Sequence, residues 1–213
     1  MIDTCGGVVL CGGQSKRMGR DKGSLPFGDE SLLQRVVRQL HGVVAPIVVV
    51  GSSDATLPAF AMDVEVASDQ RPGRGPLEGL RIGLAALASR ASFAFVVGCD
   101  YPFVLPAFIA RMKSLAVGHD AAVVRFAERL HPLAGVYRTA LSARADELLT
   151  VGKPRLLDLI AASHVRLVGP DELLDADPQL LSLQNVNSPA DYAAALAAAG
   201  FPLGESPPAA GLL

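Results

Sequence analysis

The chain has 213 residues, with 19 Lys and Arg against 21 Asp and Glu, a net charge of -2, and a composition 50% hydrophobic but only 5% aromatic. That balance excludes a general binder of nucleic acid or of an anionic membrane surface, and no apolar run approaches the ~18 residues that a membrane-spanning helix needs. The length suits one domain with a sizeable core, and a core rich in Ala, Leu and Val is that of strands buried between helices.

Residues 5–11 form an apolar run that breaks at Gly12-Gly13 and opens into a loop carrying Lys16, Arg17, Arg20 and Lys22. The pattern predicts a buried strand emptying into a glycine-rich basic loop. Ser31-Leu32-Leu33-Gln34 has capping-box spacing, and Leu32, Leu33, Val36, Val37 and Leu40 then recur on one helical face. Residues 46–51 predict a second buried strand and 64–67 a weaker one that ends at Ser68-Asp69. Residues 71–76 read as loop, with Pro76 in the first turn of a helix to about residue 89. A third apolar strand over 93–98 stops at Cys99-Asp100-Tyr101-Pro102, and Pro106 opens a helix to about 115. Further strands are predicted over 120–125, 132–137 and 164–168, and helices over 139–151, 154–162 and 188–200. Residues 180–187 read as mostly extended. Residues 1–200 are expected to form a single domain and 201–213 a mobile tail.

Alternation of strands and helices predicts an α/β fold, a mostly parallel central sheet with helices on both faces. Ligands of such sheets sit beyond the carboxyl ends of the strands, and the glycine loop, Asp69 and Asp100 each follow a predicted strand. Glycines admit close backbone approach, and bare N–H groups with cations suit phosphates. The loop's spacing is neither a Walker A motif nor a dinucleotide fingerprint, and a tight turn with a solvated charge run is the plainer alternative. Asp100 suits Mg²⁺ held beside nucleotide phosphates, or equally a turn or helix-capping aspartate. Asp69 carries less signal, since Ser-Asp before a Pro/Gly loop is common turn chemistry. His131 is a lone histidine at a strand start and reads as structural. Asn185 and Asn187 flank Val186, so both amides face one side, where they suit a ligand's polar edge or the cap of the helix at Ser188. Cys5, Cys11 and Cys99, odd in number and irregular in spacing, give neither a disulfide framework nor a zinc pattern and read as buried thiols of a reducing compartment. With no basic-then-apolar leader at the N-terminus, a cytoplasmic protein is expected.

The run Leu10-Cys11-Gly12-Gly13-Gln14-Ser15-Lys16-Arg17-Met18-Gly19-Arg20-Asp21-Lys22 resembles the signature of nucleotidyltransferases that activate sugars and cofactors, and among them the molybdenum cofactor guanylyltransferase family. The resemblance continues through Gly75-Pro76-Leu77-Glu78-Gly79, Cys99-Asp100-Tyr101-Pro102-Phe103, His131-Pro132-Leu133 and Asn185-Val186-Asn187-Ser188-Pro189. It implies a Rossmann-like nucleotidyltransferase fold and transfer of GMP from GTP to molybdenum-bearing molybdopterin, with pyrophosphate released. By the same resemblance Leu10, Cys11, Gly12 and Gly13 line the nucleotide site. Lys22 contacts the phosphates, Asp69 and Asp100 bind nucleotide, and Asp100 also holds Mg²⁺. Asn185 and Asn187 lie on the pterin side. On mechanistic grounds Arg17 is expected to join Lys22 in stabilising the departing pyrophosphate. The chain departs from the family at Cys11, commonly alanine, and at Gly51, often asparagine, whose contact Ser52 or Ser53 would have to supply.

A related cytidylyl signature carries a methyl group where this chain has Gly12, so the bare position leaves room for a purine. Rival readings are a cytidylyltransferase for the same pterin, a sugar-phosphate nucleotidyltransferase, and a GTP-binding regulatory module without turnover. The expected partners are the two substrates, with transient contact to molybdenum-insertion proteins or molybdoenzymes, and the expected state is a monomer.

Overall fold

The computed structural model describes residues 4–11, 22–52, 57–69 and 75–202. Its strands are β1 (Cys5–Cys11), β2 (Pro26–Phe27), β3 (Glu30–Ser31), β4 (Ile47–Ser52), β5 (Glu65–Asp69), β6 (Phe93–Gly98), β7 (Ala121–Phe126), β8 (Arg129–Arg138) and β9 (Val165–Val168). Its α-helices are α1 (Leu32–Leu40), α2 (Pro76–Leu87), α3 (Pro106–Leu115), α4 (Leu141–Thr150), α5 (Leu156–Ala161) and α6 (Pro189–Ala198). No described helix is long and apolar enough to cross a membrane.

Seven strands make one sheet in the order β5-β4-β1-β6-β8-β7-β9. β5, β4, β1 and β6 pair in parallel, whereas β8 runs antiparallel to both of its neighbours. The runs over 47–50 and 93–98 are buried throughout because helices cover both faces, so neither face needs polar residues. Alternate side chains feed two cores. Val9, Val49, Phe95 and Val97 meet Leu33, Val36, Val37 and Leu40 of α1 and Phe108, Ile109 and Met112 of α3. Val8, Val48, Val50 and Val96 meet α2, α4 and α5 on the other side through Leu80, Leu84, Ala145 and Leu159.

The chain goes from β1 by way of α1 to β4 on one side, then from β5 by way of α2 to β6 on the other. The strand order therefore reverses between β1 and β6, and the carboxyl edge there is the switch point where open α/β sheets bind ligands.

Several boundaries differ from the sequence expectation. Residues 120–125 and 132–137 are the arms of one hairpin, β7–β8, closed by Ala127 and Glu128 at φ 48° and 59°. Primed hairpin turns require positive φ but usually signal it with Gly or Asn, which this turn lacks. Residues 180–187 are not extended throughout. Leu180 is left-handed (φ 51°) and Leu181–Leu183 form a 3-10 turn. The buried Asp177 carboxylate dictates that turn, accepting hydrogen bonds from the backbone N–H groups of Leu181 (3.0 Å) and Ser182 (2.7 Å). Phe201, assigned to the tail, packs its ring edge-on against Phe27 at 5.3 Å between centroids. Residues 203–213 lie outside the described residues.

Candidate active site

Asp100 is placed by the turn that ends β6. The Cys99 N–H donates to the Leu10 carbonyl at 3.0 Å, tying this turn to the end of β1, and the Tyr101 N–H donates back to Gly98. The carboxylate caps no helix, because α3 starts at Pro106 with Leu105 in the capping position. Instead it meets Lys22, whose Nζ lies 3.0 Å from Oδ2 with both side chains less than one-fifth exposed. Burial, then the neighbouring Asp100 charge, pushes the Tyr101 hydroxyl above its ordinary range, so this phenol stays protonated.

Lys22 opens a 3-10 turn, Lys22–Ser24, that leads into the β2–β3 hairpin, neither of which the sequence pattern reveals. Gly23 is buried against the strand ends, and a Cβ there would lie 2.4 Å from Sγ of Cys11 and 3.6 Å from Sγ of Cys99. The glycine thus lets the backbone beside Lys22 come down onto β1 and β6.

The same ammonium donates to Oδ1 of Asn187 at 3.1 Å. Neither asparagine side chain caps α6. The N-cap is Ser188, whose Oγ accepts from the Asp191 N–H at 3.1 Å. The Asp191 carboxylate in turn accepts from the backbone N–H groups of Asn187 (3.0 Å) and Ser188 (2.9 Å). Hydrogen bonding at Ser188 and Asn187, with the Lys22 charge, holds this carboxyl below the ordinary aspartate range. Between the asparagines, the Val186 N–H donates to the Asp100 carbonyl at 2.9 Å, and its side chain is buried with Leu25, Phe27, Leu32 and Leu196. Asn185 is half-buried and is not hydrogen-bonded to Lys22 or Asp100.

The remaining candidates fall as follows. Leu10 and Cys11 end β1 at the switch point, and Asp69 ends β5, opposite Ser52 in register, on the same carboxyl edge. Gly12, Gly13 and Arg17 lie outside the described residues, as do Ser53 and the loop over 70–74. Gly51 is buried inside β4. Gly75 (φ 74°) precedes α2, and the buried Glu78 in that helix's first turn takes a two-pronged contact from Arg81 at 2.9 and 3.0 Å. His131 sits on β8 beside Val124, and burial above all holds its imidazole below the usual range. The Lys22–Asn187 bond is the feature that sequence reasoning missed, and nothing in the local pattern of either segment signals it.

Comparison with known proteins carries these observations further. The family model of the MobA-like NTP transferase domain matches residues 7–168. A Mycobacterium tuberculosis protein named a probable molybdenum cofactor guanylyltransferase is 39% identical over 189 residues, 86% of this chain and 89% of that one. One of the same name from Pelotomaculum thermopropionicum is 32% identical over 187 residues, covering 87% and 88%. In structure, the chain is similar to molybdopterin-guanine dinucleotide biosynthesis protein A from Archaeoglobus fulgidus, with a TM-score of 0.74 at 21% identity over 91% of this chain and 97% of the other. The likeness to the Archaeoglobus protein is one of fold, while the family model and the curated relatives place the chain among the nucleotidyltransferases. Within that class, the chain belongs to the MobA-like NTP transferase family, alongside relatives named as molybdenum cofactor guanylyltransferases.

Proposed function

We propose that this protein transfers GMP from GTP to molybdenum-bearing molybdopterin, yielding the guanine dinucleotide cofactor and pyrophosphate. The observation that carries the reading is the meeting of Lys22, Asp100 and Asn187 within 3.0–3.1 Å at the carboxyl edge between β1 and β6. A phosphate oxygen of the pterin attacks the α-phosphorus in line, and the bond from that phosphorus to the bridging oxygen breaks as pyrophosphate leaves. The nucleophile is already an anion, so no strong general base is needed, and positioning with charge neutralisation supplies the catalysis.

Lys22, with Arg17, neutralises the departing pyrophosphate. Leu10, Cys11 and Gly12 receive the base, Gly13 belongs to the same nucleotide site, and the bare Gly12 favours a purine. Asp69 orients the nucleotide, and Asn185 and Asn187 face the pterin. Among the described residues no three His, Cys, Asp or Glu side chains cluster as a cage for a metal. The Asp100 carboxylate, one hard oxygen donor group, therefore fits an ion that brings phosphate ligands of its own, as Mg²⁺ does. When bound there, Mg²⁺ supplies charge stabilisation to phosphate oxygens. The buried thiols of Cys5, Cys11 and Cys99 support a cytoplasmic setting.

Pyrophosphate release from each of the four nucleoside triphosphates, with and without molybdopterin, tests the reading. Release with GTP and molybdopterin together supports it. Release driven by CTP, or by a sugar phosphate in place of the pterin, replaces it with one of the rival transferases. GTP binding without release under any acceptor leaves a regulatory module.

A further inference from the structure

We propose that Asn187 is a positioning residue for Lys22, its amide oxygen setting the ammonium at the strand ends before nucleotide arrives. The inference rests on the reading that Lys22 meets the nucleotide's phosphates, and it gives Asn187 a task separate from contact with the acceptor. An ammonium has three N–H donors. Asp100 takes one at 3.0 Å and Asn187 a second at 3.1 Å, and among the described residues nothing takes the third, which can turn to a ligand.

The backbone that carries this acceptor is firmly held. The Asn187 N–H is bound by Asp191, the preceding Val186 N–H by the Asp100 carbonyl, and the Val186 side chain is 2% exposed. Tyr192 on α6 also donates its hydroxyl proton to the Pro26 carbonyl, four residues beyond Lys22. Helix α6 and the segment carrying Lys22 are thus clamped together at several points, and Asn187 is where the clamp reaches the charge. The choice of an amide has a reason. A carboxylate at this position would add to the negative charges of Asp100 and Asp191 that already face the ammonium and would repel a triphosphate, whereas a neutral oxygen orients the ammonium and adds no charge.

The test is a double-mutant cycle on Lys22 and Asn187, read as affinity for whichever nucleoside triphosphate the wild-type protein binds, with Mg²⁺ present and no acceptor. Asn187→Ala is expected to weaken binding about tenfold in the wild-type background, the scale of one hydrogen bond to a charged group, and less than about twofold in Lys22→Ala. The side chain is exposed, so the unfolding midpoint of Asn187→Ala should stay within about 2 °C of wild type. Asn187→Asp should keep the lysine in place yet weaken triphosphate binding, an effect that fades as salt rises.

Equal losses in both backgrounds, or unchanged triphosphate affinity with a raised KM for the acceptor alone, would overturn the proposal. A second measurement decides the matter if Lys22→Ala binds too weakly to titrate. Nitrogen NMR of the Lys22 ammonium in the ligand-free protein should show it less ordered in Asn187→Ala, where the Asp100 pair remains, than in wild type. Equal order in both proteins overturns the inference. A wild-type preference for a base other than guanine counts against the GMP-transfer reading alone, because the cycle is then read on that other triphosphate.

Discussion

A methyl group on Gly98 would stand 2.5 Å from Oδ1 of Asp100 and 3.2 Å from the Tyr101 ring. The last residue of β6 is bare because the carboxylate folds back over it. Gly98→Ala is therefore expected to push Asp100 off Lys22, at a cost of about 1–3 kcal/mol for the overpacked site. Turnover should fall about tenfold, the factor that losing ~1.4 kcal/mol of transition-state stabilisation by the displaced carboxylate gives, while circular dichroism stays that of the wild type. Wild-type turnover in this variant would show that the carboxylate's place is immaterial.

A similar contact governs Lys22 from the other side. A Cβ on Gly23 would collide with Sγ of Cys11 at 2.4 Å. Gly23→Ala should lose about 1–3 kcal/mol of stability in urea titration. Adding Cys11→Ala removes the sulfur and should return most of it. If the double variant is no more stable than Gly23→Ala alone, this contact is not the cause.

Lys22→Ala should leave the fold intact and reduce turnover by more than about 100-fold, the range seen when a preorganised transition-state donor is removed. The lysine is 18% exposed and contributes to no hydrophobic cluster, so its loss should not disturb packing. Parallel measurement of pyrophosphate release and thermal unfolding checks both halves.

Acid should loosen the α6 clamp. Hydrogen bonds depress the Asp191 pKa below its ordinary value of 3.8. Over the interval between the folded and ordinary values the unfolded chain binds more protons, so stability rises with pH there. The contribution is complete above about pH 4 and disappears as pH falls through the folded-state value. Unfolding midpoints taken from pH 5 down to pH 3 should drop less steeply in Asp191→Asn than in wild type. Identical slopes would remove Asp191 from the acid response.

The runs over 47–50 and 93–98 declare themselves as strands because burial on both faces leaves them almost wholly apolar. Ser31 and Ser188 likewise announce α1 and α6, each closing a capping box observed in the structure. What escapes is set by distant groups. Ala127 and Glu128 turn a hairpin without the residues that normally mark one, and the 3-10 turn at Leu181–Leu183 answers to a carboxylate on Asp177. Strands β2 and β3 have two residues each, too short for periodicity to register. At the site, Lys22, Asp100 and Asn187 each stand in a recognisable motif, whereas the bond between Lys22 and Asn187 spans 165 residues and leaves no trace in either neighbourhood.

That separation has a bearing on biosynthesis. The two ligands of the Lys22 ammonium arrive 78 and 165 residues after it. A growing polypeptide on the ribosome can lay down β1, β4 and β6 and still lack the second. The lysine then gains its second partner only after the segment before α6 has emerged, and molecules clipped ahead of Asn187 lose that partner together with the buried cluster of Val186 and Leu196.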